Sequence, residues 1–374
     1  MISGRLRDTK LIVNLGAIRH NIQEQQKQLA PNSKIFAVVK ANAYGNGLVP
    51  VAQTAIKAGA TGTCVAILDE ALELRDSGIT SLILVLGITP VENAHIAAEA
   101  GVSLTVGSLD WLEDYHQLAI ANHWTKPLKV HLGIDSGMGR IGFTTVESFN
   151  EAVKFVREHH EFEFEGMFTH FATADSADDS YFNKQVNKWE QFVSSLTELP
   201  PFVHMANSAT GMWHREKITA NTVRMGISMY GQNPSGRELA ATLDLQPVEQ
   251  LVTSISFVKK LKAGESVSYG ATYTAQEDEW LATLPIGYAD GYPRCMTGYK
   301  VLVDGQFCDI AGRVCMDQMM IRLPKPYPVG TRVVLMGRSG DKEITADDLA
   351  DQAGTINYEI MTNINNRVHR VYTD

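Results

Sequence analysis

With 374 residues, 44% of them apolar and 20% charged, the chain has ample material for a core, and its length allows two or three domains or one large barrel. A formal charge of −9 argues against a surface for polyanions, so no nucleic-acid partner is expected, and the basic run Lys259, Lys260, Lys262 reads as a solvated face. The opening stretch MISGRLRDTKLIVNLG lacks an apolar h-region, and the longest apolar run, Leu82–Leu86, is too short to span a bilayer. Cys64, Cys295, Cys308 and Cys315 show neither zinc-ligand spacing nor a disulfide framework, so the expectation is a reduced cytoplasmic protein without metal or membrane contact.

In chain order, short β-branched or apolar runs predict strands at Ile35–Val39, Thr63–Ile67, Leu82–Leu86, Val102–Val106, Leu128–Ile134, Phe164–Phe168, Phe202–Ala206 and Thr222–Ile227. Helical patterns fill the intervals. Val146, Phe149, Val153 and Val156 follow a capping box from Thr144 to Glu147, and Val186, Trp189, Phe192, Val193 and Leu196 repeat the spacing. Near-continuous apolar strands alternating with helices imply a parallel sheet covered by helices. Eight such units fit a (β/α)8 barrel over residues 1–242, and no GxGxxG follows the first strand to favour an open dinucleotide-binding sheet. From about residue 240 the texture changes to strands broken by Gly, Asp and Pro, with a hairpin signal at Asp304-Gly305 and one short helix near Ala346–Gln352. That predicts a β-rich domain over residues 243–374, with residues 1–14 as a candidate to pair with it.

In such barrels the chemistry lies where strands end and loops begin. The first strand ends on Lys40, with Tyr44 in its loop; the fifth runs into DSGMGRIG, presenting Arg140; the sixth ends at His170. The seventh leads to Asn207 and Ser208, and the eighth carries Arg224 followed by Gly226 and Ile227. Each has an ordinary explanation: a snorkelling lysine, a hydrogen-bonded core histidine, a buried ion-pair arginine, a helix-capping serine, turn glycines at Gly137, Gly139 and Gly142. Their convergence on one rim is what calls for chemistry. A lysine in a cationic, partly apolar setting becomes a nucleophile toward carbonyls, and N–H groups at Gly226 and Ile227 with nearby hydroxyls could hold a phosphate. Pyridoxal phosphate needs both features, and so would an aldolase.

Nine ordered stretches, AVVKANAYGNG, DSGMGRIGF, GMFTHFATAD, HMANSATG, VRMGISMYG, VSYGATYTA, IGYADGYPR, AGRVCMDQ and TINYEIMTNINNRVHRVY, cover essentially the whole chain, which thereby resembles the alanine racemases of the barrel-fold pyridoxal-phosphate class. The resemblance implies interconversion of L-alanine and D-alanine, supplying D-alanine for peptidoglycan, in a homodimer with shared active sites. It implies that Lys40 carries pyridoxal 5'-phosphate covalently and serves as one base, with Tyr269 of the partner subunit as the other. Tyr44, Ser208, Gly226, Ile227 and Tyr358 would hold the phosphate, with Asn207 beside them, Arg224 would face the pyridine nitrogen, and His170 would bond into the Arg224 network. Arg140 would meet the cofactor's phenolic oxygen and, with the Met316 backbone N–H, the substrate carboxylate. Asp175, Arg294, Arg313 and Asp317 could form a charged entrance or a structural ion-pair network.

Two positions depart from the family pattern. The usual YGHG reads YGNG, with Asn46, and Gly133 stands where many members carry a carbamylated lysine that braces the arginine corresponding to Arg140. A chloride, a water or a neighbouring polar side chain is expected to fill that gap. The competing readings are a racemase of broader specificity, a barrel-class decarboxylase of a diamino acid, and a cofactor carrier without turnover.

Overall fold

Eight strands pair in parallel in the computed structural model, which describes residues 2–374. After β1 (Lys10–Asn14), whose partners lie in a different sheet, come β2 (Lys34–Val38), β3 (Gly62–Val65), β4 (Leu82–Ile88), β5 (Ser103–Val106), β6 (Leu128–Gly133), β7 (Phe162–Phe168), β8 (Phe202–His204) and β9 (Thr222–Met225). Their order is β8-β7-β6-β5-β4-β3-β2-β9. An isolated parallel bridge between Ala206 and Val223, with the Arg224 N–H donating to the Ala206 carbonyl at 2.9 Å, brings the two ends together. The result is the expected (β/α)8 barrel. Its strands are buried on both faces, because side chains fill the interior and helices cover the outside.

The helix Val146–Glu158 shows how local sequence fixes an element. Phe149, Ala152, Val153 and Val156 form its buried stripe. Its cap is Thr145 rather than the expected Thr144: Thr145 is extended (φ −127°, ψ 151°) and its hydroxyl accepts the Ser148 N–H at 3.3 Å, which leaves Glu147 in the first turn, where the helix dipole favours a carboxylate. The barrel unit comprises Ile18–Ala43 and Leu48–Gln246.

The other compact unit is assembled from three pieces: the N-terminal residues to Ala17, the short segment Tyr44–Gly47, and Pro247–Asp374. It is mostly β. In it β1 pairs antiparallel with Glu249–Ser254 and parallel with His369–Thr373. Asp304 and Gly305, at φ 51° and 70°, form the two-residue turn between Lys300–Val303 and Gln306–Ala311. The helix Ala346–Ala353 stands where one was expected, and a second, Asn357–Asn363, has too few apolar residues to announce itself.

Asn46 donates to the Glu249 Oε1 at 2.5 Å within this unit, and Arg370 Nε donates to the Gly45 carbonyl at 2.9 Å. Burial pushes the Glu249 carboxyl up from 4.5 to about 7, against the opposing pull of the Asn46 bond and the Arg370 charge. Since the folded pKa exceeds the unfolded one, the folded protein holds the extra proton between those values. Stability should therefore fall as pH rises through that window and stay at its lower level above it. Thermal melts of Glu249→Gln and the parent chain should coincide near pH 4.5 and separate above pH 7, with the variant the more stable; a pH-independent difference would remove Glu249 as the cause.

Candidate active site

Lys40 follows β2 directly, and the chain then does something unusual. Ala41, Asn42, Ala43 and Tyr44 have φ of 53°, 55°, 54° and 53°, a turn of left-handed helix built without glycine. Each such residue costs about 1–2 kcal/mol, so the turn needs outside support. The Ala43 N–H donates to the Val39 carbonyl at 2.8 Å, and Asn42 Oδ1 accepts the Leu48 N–H at 2.9 Å. Glu70 accepts the Asn42 N–H at 3.4 Å through one oxygen and the Ala66 N–H at 2.8 Å through the other. The small, unbranched Ala-Asn-Ala sequence suits this backbone. Burial first, and then the Arg140 charge, push the Lys40 ammonium below its ordinary pKa.

Arg224 is the hub of the rim. It is 4% exposed, yet four hydrogen bonds satisfy its two terminal nitrogens. Nη1 donates to His204 Nδ1 at 2.8 Å and to the His204 carbonyl at 2.7 Å; Nη2 donates to the Thr169 carbonyl at 2.7 Å and lies 3.2 Å from His170 Nδ1. A guanidinium has five N–H donors, so among the described residues Nε–H alone is left to meet a ligand. Burial lowers Arg224 only to about 10, and it stays charged at neutral pH. Burial and the cations Arg224, Arg140 and Lys40 drive His170 down to about 3, so the positive charge of this pair sits on the arginine. Because the neutral His170 accepts at Nδ1, its proton is on Nε2.

Ser208 sits at the start of the helix Ser208–Trp213, where Asn207 is the cap, accepting from the Thr210 N–H at 2.9 Å and donating to the Phe171 carbonyl at 3.4 Å. Ser208 Oγ gathers the turn after β9 by accepting the Gly226 N–H at 2.8 Å and the Ser228 N–H at 3.4 Å. The Ser228 hydroxyl is fully buried and finds no partner among the described residues. An anion held at this turn would satisfy such an orphan.

Arg140 is exposed, on a loop shaped by Asp135, which accepts the Gly137 and Gly139 N–H groups at 2.9 and 3.0 Å. Of the loop's glycines, Gly142 is the constrained one: at φ +117° a Cβ would lie 2.6 Å from the Gly133 carbonyl oxygen. Beside Gly133 the neighbours are hydrocarbon. A Cβ there would meet the Phe168 ring at 3.5 Å and the Thr105 methyl at 3.6 Å.

In the β-rich unit, Tyr44 and Tyr358 bring their rings to a centroid distance of 6.2 Å. Tyr269 and Met316 are 72% and 53% exposed. Their loops are tied together by Ser268, which donates to the Arg313 carbonyl at 2.9 Å and accepts the Arg313 N–H at 3.1 Å. Asp317 pairs with Arg367 at 2.6 Å, and Arg367 also reaches Asp290 at 3.3 Å, an ion-pair network for that member of the suggested entrance. Reading the sequence missed Ser268, Glu70 and His204. A polar residue inside an apolar strand, as in FVHMAN, was the available signal for the last.

Residues 13–234 match the alanine racemase N-terminal domain, and residues 248–372 match the alanine racemase C-terminal domain. An alanine racemase of Limosilactobacillus reuteri is 79% identical over 372 residues, spanning 100% of this chain and 99% of that one. The crystal structure of alanine racemase from E. faecalis superposes with a TM-score of 0.97 at 45% identity, over 100% of both chains. A histidine racemase from Leuconostoc mesenteroides also superposes over 100% of both chains, with a TM-score of 0.94 at 36% identity.

If the Arg140 charge helps to depress Lys40, removing it should raise the lysine's pKa. In cofactor-free protein, the pH midpoint for modification of Lys40 by an amine-selective reagent, read by peptide mass spectrometry, should move upward in Arg140→Met. An unmoved midpoint would leave burial as the whole cause.

Proposed function

The chain belongs to the alanine racemase family, and from that premise we propose that it interconverts L-alanine and D-alanine by a two-base mechanism with pyridoxal 5'-phosphate as cofactor. The family is one of racemases, and its members generally depend on that cofactor. The observation that carries the reading is the buried Arg224, its terminal nitrogens consumed and one N–H left, on the same barrel rim as a lysine of depressed pKa. The donor set fits the group. Lys40 would offer the amine, and Ser208, Ile227, Tyr44 and Tyr358 would offer hydroxyls and an N–H to a phosphate, which the Gly226 N–H would join by leaving Ser208 Oγ; the orphaned Ser228 hydroxyl supports an anion there.

When bound, the cofactor supplies the electron sink that acidifies the α C–H of an attached amino acid. The protein's residues do the rest. Taking a proton from one face of a carbon and returning one to the other requires two groups flanking it. Lys40 Nζ, below its usual pKa, exchanges a proton readily on one side. Tyr269 of the partner subunit serves the other. His170, neutral and carrying its proton on Nε2, has that N–H to donate to a phenol oxygen, and Arg224 holds the ring in place from the Nδ1 side. Arg224 would offer a hydrogen bond to the cofactor ring without surrendering its proton, which would weaken the sink and disfavour side reactions. Arg140 and the Met316 N–H would hold the substrate carboxylate. No helix among the described residues is long and apolar enough to cross a membrane; we place the enzyme in the cytoplasm as a homodimer with shared sites, feeding D-alanine to peptidoglycan.

A broader-specificity racemase is a second reading, favoured by the likeness to a histidine racemase. The decarboxylase and carrier readings find no support in the full-length matches.

Both readings can be tested with one assay in deuterated water. The parent chain should convert L-alanine to D-alanine labelled at the α carbon. Tyr269→Phe should lose interconversion while still exchanging the α proton of one enantiomer. Exchange of both enantiomers by the variant would remove Tyr269 as a base, and turnover of L-histidine at a kcat/KM comparable to that of L-alanine would establish the broader reading.

A further inference from the structure

Behind Arg224 the barrel interior holds a row of buried polar groups that the chemistry above does not use. His204 Nδ1 meets Arg224 Nη1 at 2.8 Å, His204 Nε2 lies 2.8 Å from His131 Nδ1, and His131 Nε2 lies 3.0 Å from Glu165 Oε2. Glu165 also accepts from Lys129 Nζ at 2.9 Å and from the Ser103 hydroxyl. Both histidines are fully buried and Glu165 is 5% exposed, while the Lys129 side chain, 38% exposed, reaches solvent.

The two ends of this row fix the direction of every link. A guanidinium only donates, so His204 Nδ1 accepts and the His204 proton is on Nε2. That proton goes to His131 Nδ1, so the His131 proton is also on Nε2, and it goes to Glu165, which as a carboxylate only accepts. Charges agree with this. Burial drives both histidines toward the neutral form. Burial also pushes Glu165 up, but the bonds from His131, Ser103 and Lys129 prevail and hold it at about 2. The barrel is shaped for the row: a Cβ at Gly166 would lie 2.3 Å from His131 Nδ1, and the Phe168 ring stacks on His204 at 5.0 Å with an 8° tilt.

We propose that Glu165, His131 and His204 are positioning residues, a one-way hydrogen-bond row that fixes the Arg224 guanidinium with its Nε–H free for the cofactor ring. It rests on the reading that Arg224 faces that ring. The row uses up an Nη1 proton that could otherwise turn to the ligand, and it ends the buried cation's path on a buried anion.

An asparagine places its amide oxygen near a histidine's Nδ1, whereas a glutamine places its amide near Nε2. In the holoenzyme, His204→Asn, which keeps the bond to Arg224 but breaks the link to His131, should therefore lose less in kcat than His204→Gln, which should lose roughly ten- to hundredfold, with a shifted cofactor absorption band. Nitrogen-15 spectra of histidine-labelled parent holoenzyme should show His131 and His204 as neutral Nε2–H rings; an Nδ1–H ring or an imidazolium at either position would overturn the row without any variant. Equal behaviour of the two His204 variants would overturn it too. Arg224→Lys separates the failures. If it shifts the absorption band while the His204 variants do not, the row alone is wrong; if it leaves the band unmoved, the placement of Arg224 against the cofactor is wrong and the row falls with it.

Discussion

The constraint on which the barrel's interior depends is one buried positive charge. A guanidinium taken out of water is tolerated only when its protons are matched to acceptors. Arg224 finds these in two backbone carbonyls and two imidazole nitrogens. Having a donor-only group at the centre then dictates the protonation of its neighbours. His170 on one side and His204 on the other must both be neutral, each with Nδ1 toward the arginine. The site's electrostatics thus follow from hydrogen-bond geometry as much as from net charge.

Around that centre the protein accepts strain where rigidity is useful. The left-handed turn from Ala41 to Tyr44 is unfavourable in itself, but it reverses the chain within a few residues of Lys40 and leaves the lysine on the end of a buried strand. Glu70 and Asn42 hold the turn through backbone N–H groups. Gly133 follows a different economy. With no side chain there, the Phe168 ring packs close to that backbone while stacking on His204, so one ring serves both positions.

Much of this was legible from residues alone. The eight barrel strands announced themselves because each is a short, nearly unbroken apolar run, and the polar residues that close those runs, Lys40, His170, Ser208 and Arg224, do stand at the strand ends. What stayed hidden was hidden for physical reasons. Ala-Asn-Ala signals a turn but not its hand, since handedness there is imposed by Glu70 and Val39 from outside the segment. His131 and His204 read as lone polar residues in apolar strands, and only the closed barrel brings them within 2.8 Å. The helix Asn357–Asn363 is too short for periodicity to show. The Thr144 cap was misplaced by one residue because adjacent threonines offer the same chemistry and only the backbone angle distinguishes them.

The β-rich unit is threaded from three separate pieces of chain, and its strand β1 lies between Glu249–Ser254 and His369–Thr373. That threading has a consequence for biosynthesis. The strand made first has no sheet partner until Glu249–Ser254 has left the ribosome, after the whole barrel sequence has emerged, and it gains its second partner only with His369–Thr373. Contacts of such long sequence separation form slowly. Lys10 and Asp8 near that strand, and its length of only five residues, keep a waiting edge short and charged, the usual safeguard against pairing with the wrong partner.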